Sequence, residues 1–488
     1  MDEAEQVFLT QWGLWGYSPQ SPPNPQPPLY TWLQLAFFQL FGVNIFALSF
    51  LKNLLLCLTY VFVFLTARFL TGNVRLAVLA ALSLFLFPQI AWESQRDLTH
   101  SVLAVMVGAA TLLGALYVSK IRTLRAYLLF GGLLGLGAIS KYTFLIFAGA
   151  LLLGMLLTPD TRATILDRRI LVSLIMMALV TIPHVLWWWS QVPGESLYLG
   201  KFPLGGDTSQ FQATGAYLRA IASFFAVPCL AYALLFPAGF RPSRWMQAMR
   251  GSSGLLDRTL VLAIAILGAM AILLYFGRFN QRWVQPVLWF FPITFLAHLP
   301  PEAISDRTWR WCVRGTVAVA ATILIASAGR VAGLSLIDRF TPFAEIATYR
   351  FFRYPARLNY PFEAIAAEVR KHGFDKGIII AETGFMAGNM RLQFPDSLAM
   401  AARRMPIGVP NEVPEKPMLV IWDAHRDEQM PDPIRRFLDE TIPVNPGEEQ
   451  VIYREFPYQY SAGRAARIGL VFLGGKERAT DRERRSSP

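Results

Sequence analysis

Residues 126–157 read AYLLFGGLLGLGAISKYTFLIFAGALLLGMLL, and Lys141 is the one charged side chain in that stretch. A helix that crosses a membrane needs roughly 20 mostly apolar residues. The stretch is long for one such helix and short for two. It reads as a tight helical pair, 126–139 and 142–157, flanking Ser140-Lys141. Gly131, Gly132, Gly135 and Gly137 crowd the first member, and small residues let helices approach closely in lipid. Outward from this pair, eight further apolar stretches lie at about 44–66, 74–91, 98–118, 170–189, 215–239, 258–276, 283–299 and 313–331. The expectation is an α-helical polytopic membrane protein with about ten spans over residues 44–331. Residues 29–42, LYTWLQLAFFQLFG, are too short to span and carry Tyr30, Trp32 and two glutamines. They read as an interfacial or re-entrant helix.

Composition agrees. Of 488 residues, 54% are hydrophobic and 16% charged, with a mean hydropathy of +0.38. Soluble domains carry about 25% charged residues, which excludes an ordinary cytosolic enzyme. A disordered chain would lack the apolar content. Lys and Arg exceed Asp and Glu by 12. Residues 1–331 hold 23 basic and 12 acidic side chains, and residues 332–488 hold 22 and 21. The excess therefore sits on loops of the apolar part. That is a membrane-topology pattern and excludes a nucleic-acid partner, which needs a basic patch on a solvated face. Cys57, Cys229 and Cys312 are far apart and form no CxxC or Cys/His pattern. They read as small buried hydrophobes, with no disulfide framework and no metal site.

The basic loops set the orientation. One set of alternate loops carries fifteen basic residues against five acidic ones, among them Arg68, Arg75, Lys120, Arg162, Arg258 and Arg314. The opposite set carries Arg96, Lys141, Lys201, Arg278 and Arg282 against Glu93, Asp97, Glu195 and Asp207. The first set is assigned to the cytoplasm. The N-terminus and the C-terminal region then lie outside with the second set. Residues 340–475 read as a small α/β domain, with an amphipathic helix at 362–372, buried strands at 377–382 and 418–422, and a helix near 434–441. Residues 476–488 read as a disordered tail.

Polar residues gather on the expected outer face in four groups: Asp2-Glu3-Ala4-Glu5-Gln6, the 93–100 segment from Glu93 to His100, Ser140-Lys141-Tyr142, and Arg278 to Trp283. Charges beside a membrane are costly unless paired or working. Carboxylates facing cations suit glycosyl transfer from a lipid phosphate. A carboxylate takes the acceptor hydroxyl's proton, and cations hold the phosphate as its charge develops. Each group alone also has a plainer reading. Asp2 reads as a solvated chain end, Arg96-Asp97 as a local ion pair, Lys141 as a snorkelling lysine and Arg282 as a headgroup residue. His100 reads as a packed histidine and Trp187–Trp189 as an interfacial belt.

The opening Asp2-Glu3, the run Gln26-Pro27-Pro28-Leu29-Tyr30-Thr31-Trp32-Leu33, the Arg96-Asp97 turn, Gly135-Leu136-Gly137-Ala138-Ile139-Ser140-Lys141 and Arg282-Trp283-Val284-Gln285-Pro286 occur in order over about residues 1–300. In that order and spacing they resemble the bacterial GT-C glycosyltransferases of family 39. That set is dolichyl-phosphate-mannose-protein mannosyltransferase-like and includes aminoarabinose transferases of lipid A. The QPPLYTWLQ form also looks like rhizobial lipopolysaccharide galacturonosyltransferases. The resemblance implies a GT-C fold with a periplasmic α/β domain in the inner membrane. It also implies inverting transfer from a polyprenyl-phosphate sugar on the periplasmic face. By position it makes Asp2 the general base and Asp97 its partner in orienting the acceptor. Lys141 and Arg282 contact the donor phosphate with Arg96, and Glu3, Gln26 and Tyr30 contact substrate. No cofactor or metal is required, although a divalent cation could assist.

Two departures stand out. The family usually has Lys before the Pro-Pro pair, where this chain has Gln26. Glutamine hydrogen-bonds a phosphate without neutralising it, so Lys141, Arg96 or Arg282 must supply the charge. The family also places a transmembrane helix before the Asp-Glu motif, where this chain begins, and an additional N-terminal helix in the native protein is expected. The favoured acceptor is lipopolysaccharide core or lipid A, and the favoured sugar is of galacturonate type. The competing readings are a protein O-mannosyltransferase-like enzyme, a secondary transporter and an inactive membrane scaffold. Transporters place charges near the midplane and show inverted repeats. Here the charges cluster at one face and no repeat is found.

Overall fold

The computed structural model describes residues 2–12, 26–191, 209–241, 254–276, 279–300, 304–339, 359–402, 416–425, 429–441, 451–460 and 464–473. The expected tail at 476–488, Glu195, Lys201, Asp207 and Arg278 lie outside them. The chain divides into two compact units.

The larger unit is helical. Each of the ten apolar stretches falls on a helix or on consecutive short helices. Among the described residues, six helices are long and apolar enough to cross a membrane: Ile45–Thr71, Thr99–Ile121, Ile170–Trp187, Gln210–Leu235, Gly254–Leu273 and Asp306–Gly329. Phe144–Leu157 and Pro159–Ile165 make a seventh if that pair, bent by 112°, counts as one span. Thr99–Ile121 is the central helix: 83% of its most apolar window is buried, against 33% for Ile45–Thr71. Cys57, expected to be buried, is exposed on the latter apolar helix. On the helix Ile170–Gln191, Leu171, Ile175, Leu179, Ile182 and Leu186 form an exposed stripe. Their three- and four-residue spacing puts them on one face, as a lipid-facing surface requires.

The glycines of 126–139 act as their spacing suggests. The helix Leu124–Ala138 packs against Ile170–Gln191. A methyl at Gly131 would collide with the Ser173 backbone, and one at Gly135 would come within 2.7 Å of Val180 Cβ. Between the helices, Phe147 packs its ring on Trp289 and Phe290 at centroid distances of 5.8 and 5.7 Å. Between helices in lipid, such rings contribute through close van der Waals packing. Asp257 and His298 form a buried pair at 2.8 Å.

The smaller unit holds a five-stranded sheet with strands β1 (Ile378–Ala381), β2 (Leu398–Ala401), β3 (Met418–Asp423), β4 (Ile452–Pro457) and β5 (Ala465–Leu473) in the order β2-β1-β3-β5-β4. β1 pairs in parallel with β2 and β3, and β5 pairs antiparallel with β3 and β4. The helix Gly384–Gln393 connects β1 to β2, as a parallel crossover requires. β1 is buried along its whole length, which explains why GIIIA reads as a continuous apolar run.

The N-terminal helix Asp2–Leu9 belongs to this smaller unit and packs on Gly384–Gln393. Gly388 permits the approach, since a methyl there would collide with the Ala4 carbonyl oxygen. Phe8 enters the core beneath the sheet, and Val7 packs with Phe38, Ala47 and Leu48. Arg391 donates to the Val7 carbonyl and, at 2.9 Å, to Thr10 Oγ1. The Gln11 amide acts as a one-residue strand. Nε2 donates to the Ala399 carbonyl at 2.8 Å, and Oε1 accepts from Ala399 N–H at 2.6 Å. It covers part of the free edge of β2.

Candidate active site

Pro88 leads into a single π-helical turn, Gln89–Glu93, followed by the short helix Ser94–Arg96. A π turn re-aims the side chains around it and is frequent at functional sites. Ser94 Oγ donates to the Gln89 carbonyl at 2.9 Å and accepts from Gln285 Nε2 at 3.3 Å. These bonds tie the turn to the helix Gln281–Leu288. The turn ends at Asp97, whose backbone is extended, and Leu98 then adopts φ 71° in the left-handed region. That conformation costs a non-glycine residue about 1–2 kcal/mol. Leu98 is buried, so packing enforces the strained joint that aims Asp97. Such strain is a recurring companion of functional sites.

Arg282 comes from the helix Gln281–Leu288, whose N-terminus Asn280 caps by accepting from Arg282 N–H at 3.0 Å. Its guanidinium lies between two carboxylates. Nε is 3.6 Å from Glu93 Oε2, and Nη2 is 3.6 Å from Asp97 Oδ2. These separations exceed hydrogen-bonding range. The arginine is neutralised without being locked, and its side chain is 39% exposed. A phosphate can therefore recruit it.

Lys141 follows the helix Leu124–Ala138 and is 9% exposed. Its ammonium donates to Ser101 Oγ at 2.6 Å and to the Arg282 carbonyl at 3.3 Å. It is held inside the protein, unlike a snorkelling lysine. Lys141, Arg282, Glu93 and Asp97 thus form one linked cluster with two charges of each sign.

The structure places the remaining expected residues differently. Tyr30 is buried, with its ring 5.6 Å from His100. Leu29 N–H donates to the Ile139 carbonyl at 3.1 Å, so the helix Leu29–Phe41 starts against the turn that carries Lys141. Gln26 is half-buried just ahead of that helix. Asp2 and Glu3 are half-buried in the smaller unit, in the first turn of the helix Asp2–Leu9. Carboxylates there complement the helix dipole. The Arg96 side chain lies outside the described residues. Glu93, which faces Arg282, falls in the 93–100 group read from the sequence but carries no assigned site role there, and Ser101, which accepts from Lys141, is a partner the sequence does not single out. Among the described residues, no group of three or more His, Cys, Asp or Glu side chains gathers to hold a metal ion.

Residues 25–188 match the dolichyl-phosphate-mannose-protein mannosyltransferase family. Over 477 residues the chain is 30% identical to the lipopolysaccharide core galacturonosyltransferase RgtB of Rhizobium johnstonii, spanning 95% of this chain and 90% of that protein. The chain belongs to the family 39 glycosyltransferases of the GT-C fold. This glycosyltransferase is also 30% identical over 443 residues to RgtA, a lipopolysaccharide core galacturonosyltransferase of the same organism, spanning 89% of this chain and 84% of that one. Its fold is similar to that of ArnT from Cupriavidus metallidurans, solved with undecaprenyl phosphate. The TM-score is 0.57 and the identity 15%, over 97% of this chain and 94% of that one. Membership of this family decides for an enzyme over the secondary transporter. The glycosyltransferase is a multi-pass membrane protein with a small C-terminal α/β domain.

Proposed function

We propose that this glycosyltransferase moves a galacturonate-type sugar from a polyprenyl-phosphate donor to lipopolysaccharide core or lipid A, on the periplasmic face of the bacterial inner membrane. The observation that carries this reading is the cluster of Lys141 and Arg282 against Glu93 and Asp97 among the ends of apolar helices. The cytoplasmic assignment of the basic loops supports the orientation. The likeness to RgtA and RgtB supports the sugar and the acceptor.

In this mechanism an acceptor hydroxyl attacks the anomeric carbon. The new glycosidic C–O bond forms as the bond from that carbon to the phosphate oxygen breaks. The polyprenyl phosphate leaves with the electron pair, and the anomeric centre inverts. Lys141 and Arg282 stabilise the charge that develops on the phosphate, which is where electrostatic catalysis has its largest effect. Asp97 orients the acceptor. Asp2 takes the hydroxyl proton, a role assigned on its place in the Asp2-Glu3 motif alone. Glu3, Gln26, Tyr30 and Arg96 complete the substrate contacts by the same positional argument. No step requires a metal, and a divalent cation would act only by assisting the phosphate contacts.

The test is transfer from a polyprenyl-phosphate sugar by the protein carrying Asp2→Asn or Asp97→Asn. Loss of transfer with normal membrane insertion is expected. Full retained transfer would remove the assigned roles. Mass spectrometry of lipopolysaccharide and glycoproteins from a deletion strain identifies the acceptor, and a missing sugar on protein alone would overturn the lipopolysaccharide assignment.

A further inference from the structure

A groove of about 490 Å³ shares Glu93 with the four-charge cluster. One wall is a single stripe of the helix Gln210–Leu235, formed by Ala216, Arg219, Ala220 and Ser223. Their spacing puts them on one helix face, and the two alanines leave room. Phe279, Asn280 and Gln281 line it as well. The Gln281 amide is fixed on both sides, since Nε2 donates to Ser223 Oγ and Oε1 accepts from Gln89 Nε2.

Arg219 is the charge the cluster does not use. It is the one charged residue of a candidate span, where an ionisable residue marks function by default. It is exposed, and its guanidinium makes no hydrogen bond or ion pair among the described residues. A methyl at Gly215 would meet Arg219 Nη1 at 3.3 Å. The side chain therefore lies back along its helix over a position kept small.

An amide pair, a hydroxyl, an aromatic ring and an uncommitted guanidinium are the groups that recognise an acidic sugar. Amides and hydroxyls bond ring hydroxyls, an aromatic face covers apolar sugar C–H groups, and a guanidinium grips a carboxylate through its donor fork. We propose that this groove holds the transferred sugar and that Arg219 reads its carboxylate, selecting a uronate over a neutral hexose. The inference rests on the polyprenyl-phosphate transfer reading above. The donor sugar is favoured over the acceptor because it is bonded directly to the phosphate, and Glu93 joins this groove to the phosphate-holding cations.

The experiment uses the full chain in lipid nanodiscs, with polyprenyl-phosphate galacturonate and polyprenyl-phosphate galactose as donors. Wild type should prefer the acidic donor. Arg219→Gln should raise the KM for that donor about ten- to a hundredfold, the range of a charge-assisted hydrogen bond, and leave the KM for the neutral donor unchanged. Arg219→Lys should recover part of the loss. Inhibition by bare undecaprenyl phosphate should not change. The neutral donor and the bare lipid phosphate serve as folding controls. An unchanged KM for the acidic donor in Arg219→Gln overturns the inference. So does an equal loss for both donors and the bare lipid, which would make Arg219 a phosphate ligand. A shift confined to the acceptor KM, or transfer of the neutral sugar alone, overturns it while leaving glycosyl transfer standing. A wild-type protein inert with every polyprenyl-phosphate sugar removes the transfer reading and this inference with it.

Discussion

Arg282 Nη2 lies 3.6 Å from Asp97 Oδ2, while the carbonyl of the same arginine accepts from Lys141 Nζ at 3.3 Å. One residue thus links the acidic turn to the buried lysine, its side chain facing one and its backbone the other. In the resting protein Glu93 and Asp97 balance the two cations. In the proposed mechanism an incoming lipid phosphate would take the place of the carboxylates and engage both cations together.

Arg282→Ala and Lys141→Gln should each lower kcat about 10²- to 10³-fold, the loss seen when one charge-stabilising donor is removed from a reaction centre. The double variant should lose less than the product of the two, because both act on the same phosphate. Single-turnover transfer rates check this. A fully multiplicative loss would show that the cations serve separate steps.

Asp97 and Glu93 flank the same guanidinium, yet only Asp97 directly precedes the strained joint at Leu98. Asp97→Asn should abolish most transfer, while Glu93→Gln should act mainly through Arg282 and cost about tenfold, near 1.4 kcal/mol. Steady-state kinetics of the two variants separate them. Equal losses would remove the distinct role of Asp97.

The N-terminal helix is held by a close approach and by one buried arginine. Gly388→Val forces a side chain against the Ala4 carbonyl, and overpacking of this kind costs about 1–3 kcal/mol. Arg391→Met deletes the bonds to Val7 and Thr10, worth about 1.5–3 kcal/mol for a charged donor. Burial lowers the Arg391 pKa to about 10, so it is still charged at neutral pH. Both variants should speed protease cleavage near residue 10 and lower transfer. Unchanged cleavage in both would show that these contacts do not hold the helix.

Glu368 accepts from Lys371 at 3.2 Å and from Arg454 at 3.3 Å. The Lys371 hydrogen bond leads in holding its carboxyl below the ordinary value of 4.5. A lowered folded pKa means that the unfolded chain binds the proton first. The stabilisation is present above the unfolded value and is lost as pH falls through the folded one. Thermal unfolding of the α/β unit, followed from pH 6 downward, should show a small loss below about 4.5 that Glu368→Gln lacks. Parallel profiles would exclude the linkage. Both cations are exposed, so the effect is small and salt-sensitive.

The sequence by itself determined the helices of the larger unit, the basic-loop pattern and the choice of Lys141, Asp97 and Arg282. Helix formation and hydropathy are properties of neighbouring residues, so runs such as 126–157 carry their own signal. In the smaller unit β1 and β3 were legible as apolar runs, whereas β2, β4 and β5 were not. β2 is the four-residue LAMA, and β4 carries charged residues on an edge. Strand pairing lies with residues far along the chain. Only the tertiary structure decided that Gln11 covers the edge of β2, that the Asp2–Leu9 helix docks over Gly388, and that Glu93 and Ser101 hold the two cations. It also decided that Arg219 faces a groove. These contacts join residues tens to hundreds of positions apart. Packing sets their distances, and neither spacing nor composition encodes them.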